Sequence, residues 1–159
     1  MSELLKLKKN YAILQKKYKL PSFSELNEDF EIEKLQDRET DYLLKGVRRA
    51  MIEKIANVVR FLELLLNPSE TPTPMFILAM LKNINTETRK NVEVLYKELS
   101  SVELSSLALD VSYDENVEAE FVRNINTAWK KQKLVIKEVT KRLSMSWKKE
   151  NLSDRGYLG

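Results

Sequence analysis

The chain has 159 residues, of which 43% are apolar and 32% charged, with a net charge of only +3. This is the composition of a folded domain with a real core rather than of a disordered segment. It contains no cysteine and no histidine, which excludes disulfides, thiolate chemistry, Ser-His-Asp catalysis, histidine-bound zinc and Glu-x-x-His di-iron sites.

Three glycines and four prolines are too few to turn the hairpins of a many-stranded β fold, so the elements should be helices. The first is expected over Ser2 to Lys19. Leu4, Leu7, Tyr11, Leu14 and Tyr18 recur at steps of 3 and 4, a heptad seam two repeats long. That is too short for an autonomous coiled coil, so the seam should pack on this chain or on a partner. Pro21 stops the helix. Ser22 followed by Glu25 reads as a capping box that opens a short helix through Phe30.

A long second helix is expected from Lys34 to Leu66, with Leu44, Val47, Met51, Ile55, Val58, Leu62 and Leu65 on one face. At ~1.5 Å per residue it would be ~50 Å long. Asn67 and Pro68 end it, and residues 67–74 (NPSETPTP) form the clearest loop. Thr73 and Pro74 begin a short apolar helix to about Lys82.

Asn85 or Thr86 then caps a helix from about Glu87 to Leu109, with Val92, Leu95, Leu99, Val102 and Leu107 inward. Asp110 to Tyr113 turn the chain, and Asp114 caps the last long helix. Its apolar line is Val117, Phe121, Ile125, Trp129, Ile136, Val139, Leu143 and Trp147. The expected fold is all-α: a mainly antiparallel bundle of three longer helices with a helical N-terminal arm and short connecting helices. Residues 1–150 form one helical domain in this reading, and residues 151–159 a flexible tail.

Charge is distributed in blocks. Residues 1–20 carry +5, 21–41 carry −6, 45–60 carry +4, 99–120 carry −6 and 121–150 carry +7. Such blocks point to basic helices lying beside acidic segments, or to a partner that reads one of them. In the last block Trp129-Lys130-Lys131 and Trp147-Lys148-Lys149 repeat a triplet 18 residues apart. Eighteen residues make about five helical turns, so both indoles share one face. Lys130, Lys133, Lys137, Lys141 and Lys148 would then form a stripe that could contact nucleic-acid phosphates, extended by Arg48 and Arg49.

Catalytic motifs are scarce. Glu25/Glu28, Glu28/Glu31 and Glu115/Glu118 have the E-x-x-E spacing that places two carboxylates on one helix face for Mg²⁺. The arrangement of helical nucleotide pyrophosphohydrolases also needs an E-x-x-D pair, and none is present. No glycine-rich phosphate loop can be written from glycines at 46, 156 and 159 alone.

The N-terminus lacks the apolar region of a signal peptide, and no apolar run approaches the ~20 residues of a membrane span, so a cytoplasmic protein is expected. The sequence therefore reads as a non-enzymatic protein–protein interaction or scaffolding module without cofactor, metal or small-molecule substrate. Its expected contact is a protein partner or a second copy on Leu4, Leu7, Tyr11, Leu14 and Tyr18. The alternative is an RNA-docking protein using the basic C-terminal helix.

Overall fold

In the computed structural model, residues 2–38, 41–68 and 74–157 are described, with side chains as far as Lys149. Ser2 opens α1 (Glu3–Tyr18) by accepting a 3.2 Å hydrogen bond from the Leu5 amide. Lys19 closes it in the left-handed conformation, at φ 55°. Ser22 does for α2 (Phe23–Phe30) what Ser2 does for α1, accepting from the Glu25 amide at 3.1 Å. The Glu25 carboxylate meanwhile accepts from Asn126 of the last helix, also at 3.1 Å.

The long second helix does not start at Lys34. Glu31 turns left-handed at φ 53°, and Ile32–Asp37 forms a 3₁₀ helix. The Asn27 side chain accepts from the Glu33 amide at 2.9 Å, and Ile32 and Leu35 are buried as the anchors of this segment. In the tighter 3₁₀ winding residues three apart eclipse, which sets Ile32 and Leu35 one above the other on the buried side. The helix α3 accordingly spans Leu43–Leu66, 24 residues, or ~36 Å. Residues 69–73 of the expected loop lie outside the described residues. Beyond them come α4 (Met75–Leu81), α5 (Thr86–Val111) and α6 (Glu115–Tyr157). Asn85 caps α5 through the Thr88 amide at 2.7 Å. Asp114 caps α6 through the Asn116 and Val117 amides.

The fold is an all-α helical bundle in which α3, α5 and α6 pack, and no strand occurs among the described residues. The chain divides into two compact units, Met1–Ala56 with Ser101–Trp129 and Asn57–Ser100 with Lys130–Gly159. In the first unit Tyr11, Leu26, Phe30, Leu44, Met51 and Val122 are buried. In the second, Leu62, Leu65, Ile77, Leu95, Leu99 and Val139 are.

Apart from Ile125 and Trp147, which give way to the buried Asn126 and Ser146, three expected core positions are displaced by one residue. Val59 is buried where Val58 is half-buried, Ser106 where Leu107 is 61% exposed, and Glu118 where Val117 is 40% exposed. The first shift follows from the drift of a 3.6-residue helix against a 3.5-residue seam. The other two have an electrostatic cause, described below. Met51 and Ile55 are fully buried, so truncating either to Ala should cost about 2–5 kcal/mol. Val59→Ala should cost more than Val58→Ala. Denaturant unfolding of the four variants checks both expectations, and equal midpoints for the two valine variants would contradict the observed register.

Candidate nucleic-acid interface

The inward line of α6 runs through Glu118, Val122, Asn126 and Trp129 in the first unit and Gln132, Val139, Leu143 and Ser146 in the second, all buried. Positions opposite this line must face water. At about 100° per residue, Lys130, Lys137, Lys141 and Lys148 fall within a strip about 40° wide, and Lys133 lies beside it. The first four are exposed and Lys133 is half-buried. Lys137, Lys141 and Lys148 make no ion pair with any described residue. Glu138 is the one acid between Lys130 and Lys149, and it is held by Arg142 at 3.0 Å. From Lys130 to Lys148 the strip is ~27 Å long.

The paired tryptophans separate. Trp129 is 4% exposed and packs on Phe30 with ring centroids 5.4 Å apart, so its indole cannot stack on a base. Trp147 is 39% exposed, one position beyond the buried Ser146, whose hydroxyl donates to the Met80 carbonyl at 3.1 Å. Within the second unit a groove of about 580 Å³ lies between the start of α5 and the basic face of α6, lined among others by Asn83, Asn85, Lys141, Arg142 and Lys149.

Arg48 does not extend the stripe. Its side chain is fully buried in the first unit. Its Nε and Nη2 donate to the two oxygens of Glu118 at 2.6 and 3.1 Å, and Nη2 also to Asp110 at 2.7 Å. Nη1 donates to the Ser106 carbonyl at 3.1 Å and to the Ser106 hydroxyl. Burial opposes the guanidinium charge, but the hydrogen bonds that Arg48 donates to Glu118 and Asp110 outweigh it and raise the Arg48 pKa. The same contact with Arg48 holds the Asp110 carboxyl below its usual range. Arg49 is exposed, with Asp110 3.7 Å away. Both arginines belong to the first unit, whereas Lys130 to Lys148 belong to the second.

The α1 seam is engaged within its own unit. Leu7 and Tyr11 are buried, and Leu4, Leu14 and Tyr18 are half-buried. The Tyr11 hydroxyl donates to the Pro21 carbonyl at 2.6 Å, and its ring meets Phe23 edge-on at 5.7 Å. Burial pushes the Tyr11 phenol well above its usual pKa. At the other end Tyr18 donates to Glu115, Lys17 pairs with the same carboxylate at 3.2 Å, and Arg123 donates to the Tyr18 carbonyl at 2.6 Å. The hydrogen bond from Tyr18, with Lys17 beside it, holds the Glu115 carboxyl below its ordinary value. Burial, reinforced by Glu115, pushes the Tyr113 phenol up to about 12.

These contacts also account for the E-x-x-E pair of α6. Glu115 turns to Tyr18 and Lys17, and Glu118 to Arg48. Glu25 accepts from Asn126, and Glu31 occupies the left-handed end of α2. Among the described residues no group of three or more acids could hold a metal ion. No described helix is long and apolar enough to cross a membrane. In comparison with known proteins, the chain matches no family model, no curated protein and no solved structure.

Buried polar residues that sequence reading misses include Arg48, Asn126, Gln132, Ser146, Ser106 and Glu118. Ser106 carries a signal, standing four residues after Val102 where Leu107 stands five, whereas Glu118 carries none, because Val117 continues the line of Phe121 and Ile125 at steps of four. The Glu115 clasp makes stability depend on acid. Its folded pKa lies below the ~4.3 of an unfolded glutamate, so its contribution is complete above that value and is lost as pH falls through the folded pKa. Denaturant unfolding between neutral pH and pH ~3 should therefore show a smaller acid loss for Glu115→Gln than for the natural chain. Parallel curves would contradict the clasp.

Proposed function

We propose that this protein is a non-enzymatic binding module that docks on a nucleic-acid phosphate backbone, with structured RNA the expected form, through the outer face of α6. The observation that carries the reading is the ~27 Å strip of lysines opposite the buried line, interrupted by one acid that already has an arginine partner. Phosphate contacts of this kind position a protein without reading sequence, and each releases condensed counterions. The groove beside Lys141 and Lys149, with amide side chains at Asn83 and Asn85, offers polar groups for sugar or phosphate at one part of the strip. Trp147 offers the partly exposed indole. A protein partner on the α1 seam is less well supported, because Leu7 and Tyr11 are already inside the chain's own core.

Binding of fluorescent single- and double-stranded RNA and DNA, titrated across ionic strength, tests the reading. The expected outcome is affinity that falls steeply with salt and varies little with sequence. Lys137→Glu and Lys141→Glu should each weaken it and reduce the salt slope by about one. Glu138→Gln should strengthen it several-fold. Absence of binding at low salt, or binding that these substitutions leave unchanged, would overturn the proposal.

A further inference from the structure

A cleft of about 340 Å³ opens in the first unit beside the start of α3. Arg38, Tyr42, Lys45 and Arg49 line it, together with the buried Leu35 and the half-buried Gly46. Residues 42, 45, 46 and 49 are three and four apart, so they share one face of the helix. Gly46 is the unexpected member of that face. Glycine is the poorest helix former after proline, and here it stands inside a helix of 24 residues. No glycine among the described residues has a positive φ, so a left-handed backbone is not the reason for it. Its place in the wall of the cleft is a better one. A side chain at 46 would project from the same face as Lys45 and Arg49, into the space that the cleft occupies.

We infer that this cleft binds a small phosphate monoester carried on a flat ring, with a nucleoside monophosphate as the class that fits. Three of the described lining residues are cations and one, Asp41, is an acid. That excess matches the charge of about −1.5 to −2 on a phosphate monoester at neutral pH. Arg38 and Lys45 make no ion pair with any described residue. Arg49 has Asp110 at 3.7 Å, but that carboxylate is already engaged by Arg48 at 2.7 Å. Its guanidinium therefore keeps donors for phosphate oxygens, which it can meet two at a time. Tyr42 supplies the surface for the ring. Its side chain packs on Tyr113 with ring centroids 4.2 Å apart, which holds it in place, yet it remains 51% exposed. A second ring can stack on it in an offset arrangement. The cleft is near the lower end of the roughly 300–1,000 Å³ of small-molecule sites, which suits one ring and one phosphate. Its residues lie in the first unit and the lysines from Lys130 to Lys148 in the second, so the inference stands apart from the nucleic-acid reading.

The test is calorimetric titration of the full chain with phenyl phosphate and with AMP, against phenyl sulfate, which has a similar shape and one negative charge fewer. Both phosphate esters should saturate at one per chain, and the sulfate should bind at least tenfold more weakly. Lys45→Gln and Arg49→Gln should each weaken phenyl phosphate several-fold. Lys9→Gln, the same loss of charge at an exposed position of α1, should leave it unchanged. Tyr42→Ala should weaken phenyl phosphate but not inorganic phosphate. Gly46→Leu should abolish binding by filling the cleft, with no fall in melting temperature because leucine favours the helix over glycine. No saturable binding of either ester at millimolar concentration, equal affinity for the sulfate, or full binding by folded Gly46→Leu protein would each overturn the inference. A phosphotyrosine peptide that binds more tightly than AMP through Lys45 and Arg49 would overturn the assignment to a small molecule.

Discussion

A single buried guanidinium organises the first unit. Arg48 sits on α3 with no exposure, and its donors reach Ser106 and Asp110 on α5 and Glu118 on α6. A charge taken so far from water is tolerated only when partners of opposite sign meet it with good geometry, and the two-point contact with Glu118 supplies that. The three-residue turn between α5 and α6 then becomes intelligible. It reverses the chain so that acids from both helices arrive at one arginine. Once Ser106 and Glu118 must face inward, helical periodicity leaves Leu107 and Val117 facing outward.

The same interaction bears on the surface chemistry. The acidic block of residues 99–120 supplies Asp110 and Glu118 to Arg48 and Glu115 to α1. Complementary charge blocks are thus partly satisfied inside the first unit, between α1, α3, α5 and the start of α6. In the second unit Lys137, Lys141 and Lys148 are left facing solvent without a described acidic partner. An exposed row of cations on a rigid helix is a poor source of stability, because surface ion pairs contribute little. It is a good means of attracting a polyanion.

Much of this architecture is legible in the sequence because its causes are local. Pro21, Ser22, Asn85 and Asp114 act within a few residues of themselves, so the helix ends are found to within a few positions. The apolar spacing of Leu44, Val47, Met51 and Ile55 identifies the buried face of α3 directly. What sequence reading misses has causes that helical periodicity does not encode. The 3₁₀ segment Ile32–Asp37 depends on a side-chain contact from Asn27, and a helix-compatible stretch gives no sign of it. Arg48 reads as one more member of a basic block, and Glu118 as an acid favoured by the helix dipole in a first turn. Only the pairing of positions 70 residues apart reveals them as core. Trp129 and Trp147 share a helical phase, yet one is covered and the other is not, since burial also depends on what packs against each.

The most direct test of the organising role of Arg48 is a double-mutant cycle with Glu118, measured by denaturant unfolding. Arg48→Ala and Glu118→Ala should each cost about 3–5 kcal/mol, because each leaves a buried partner without its counter-charge. The double variant should cost clearly less than the two together, and Arg48→Met with Glu118→Leu should recover most of the loss. Additive single effects, or single variants as stable as the natural chain, would show that the helices of this unit are held by their apolar seams alone.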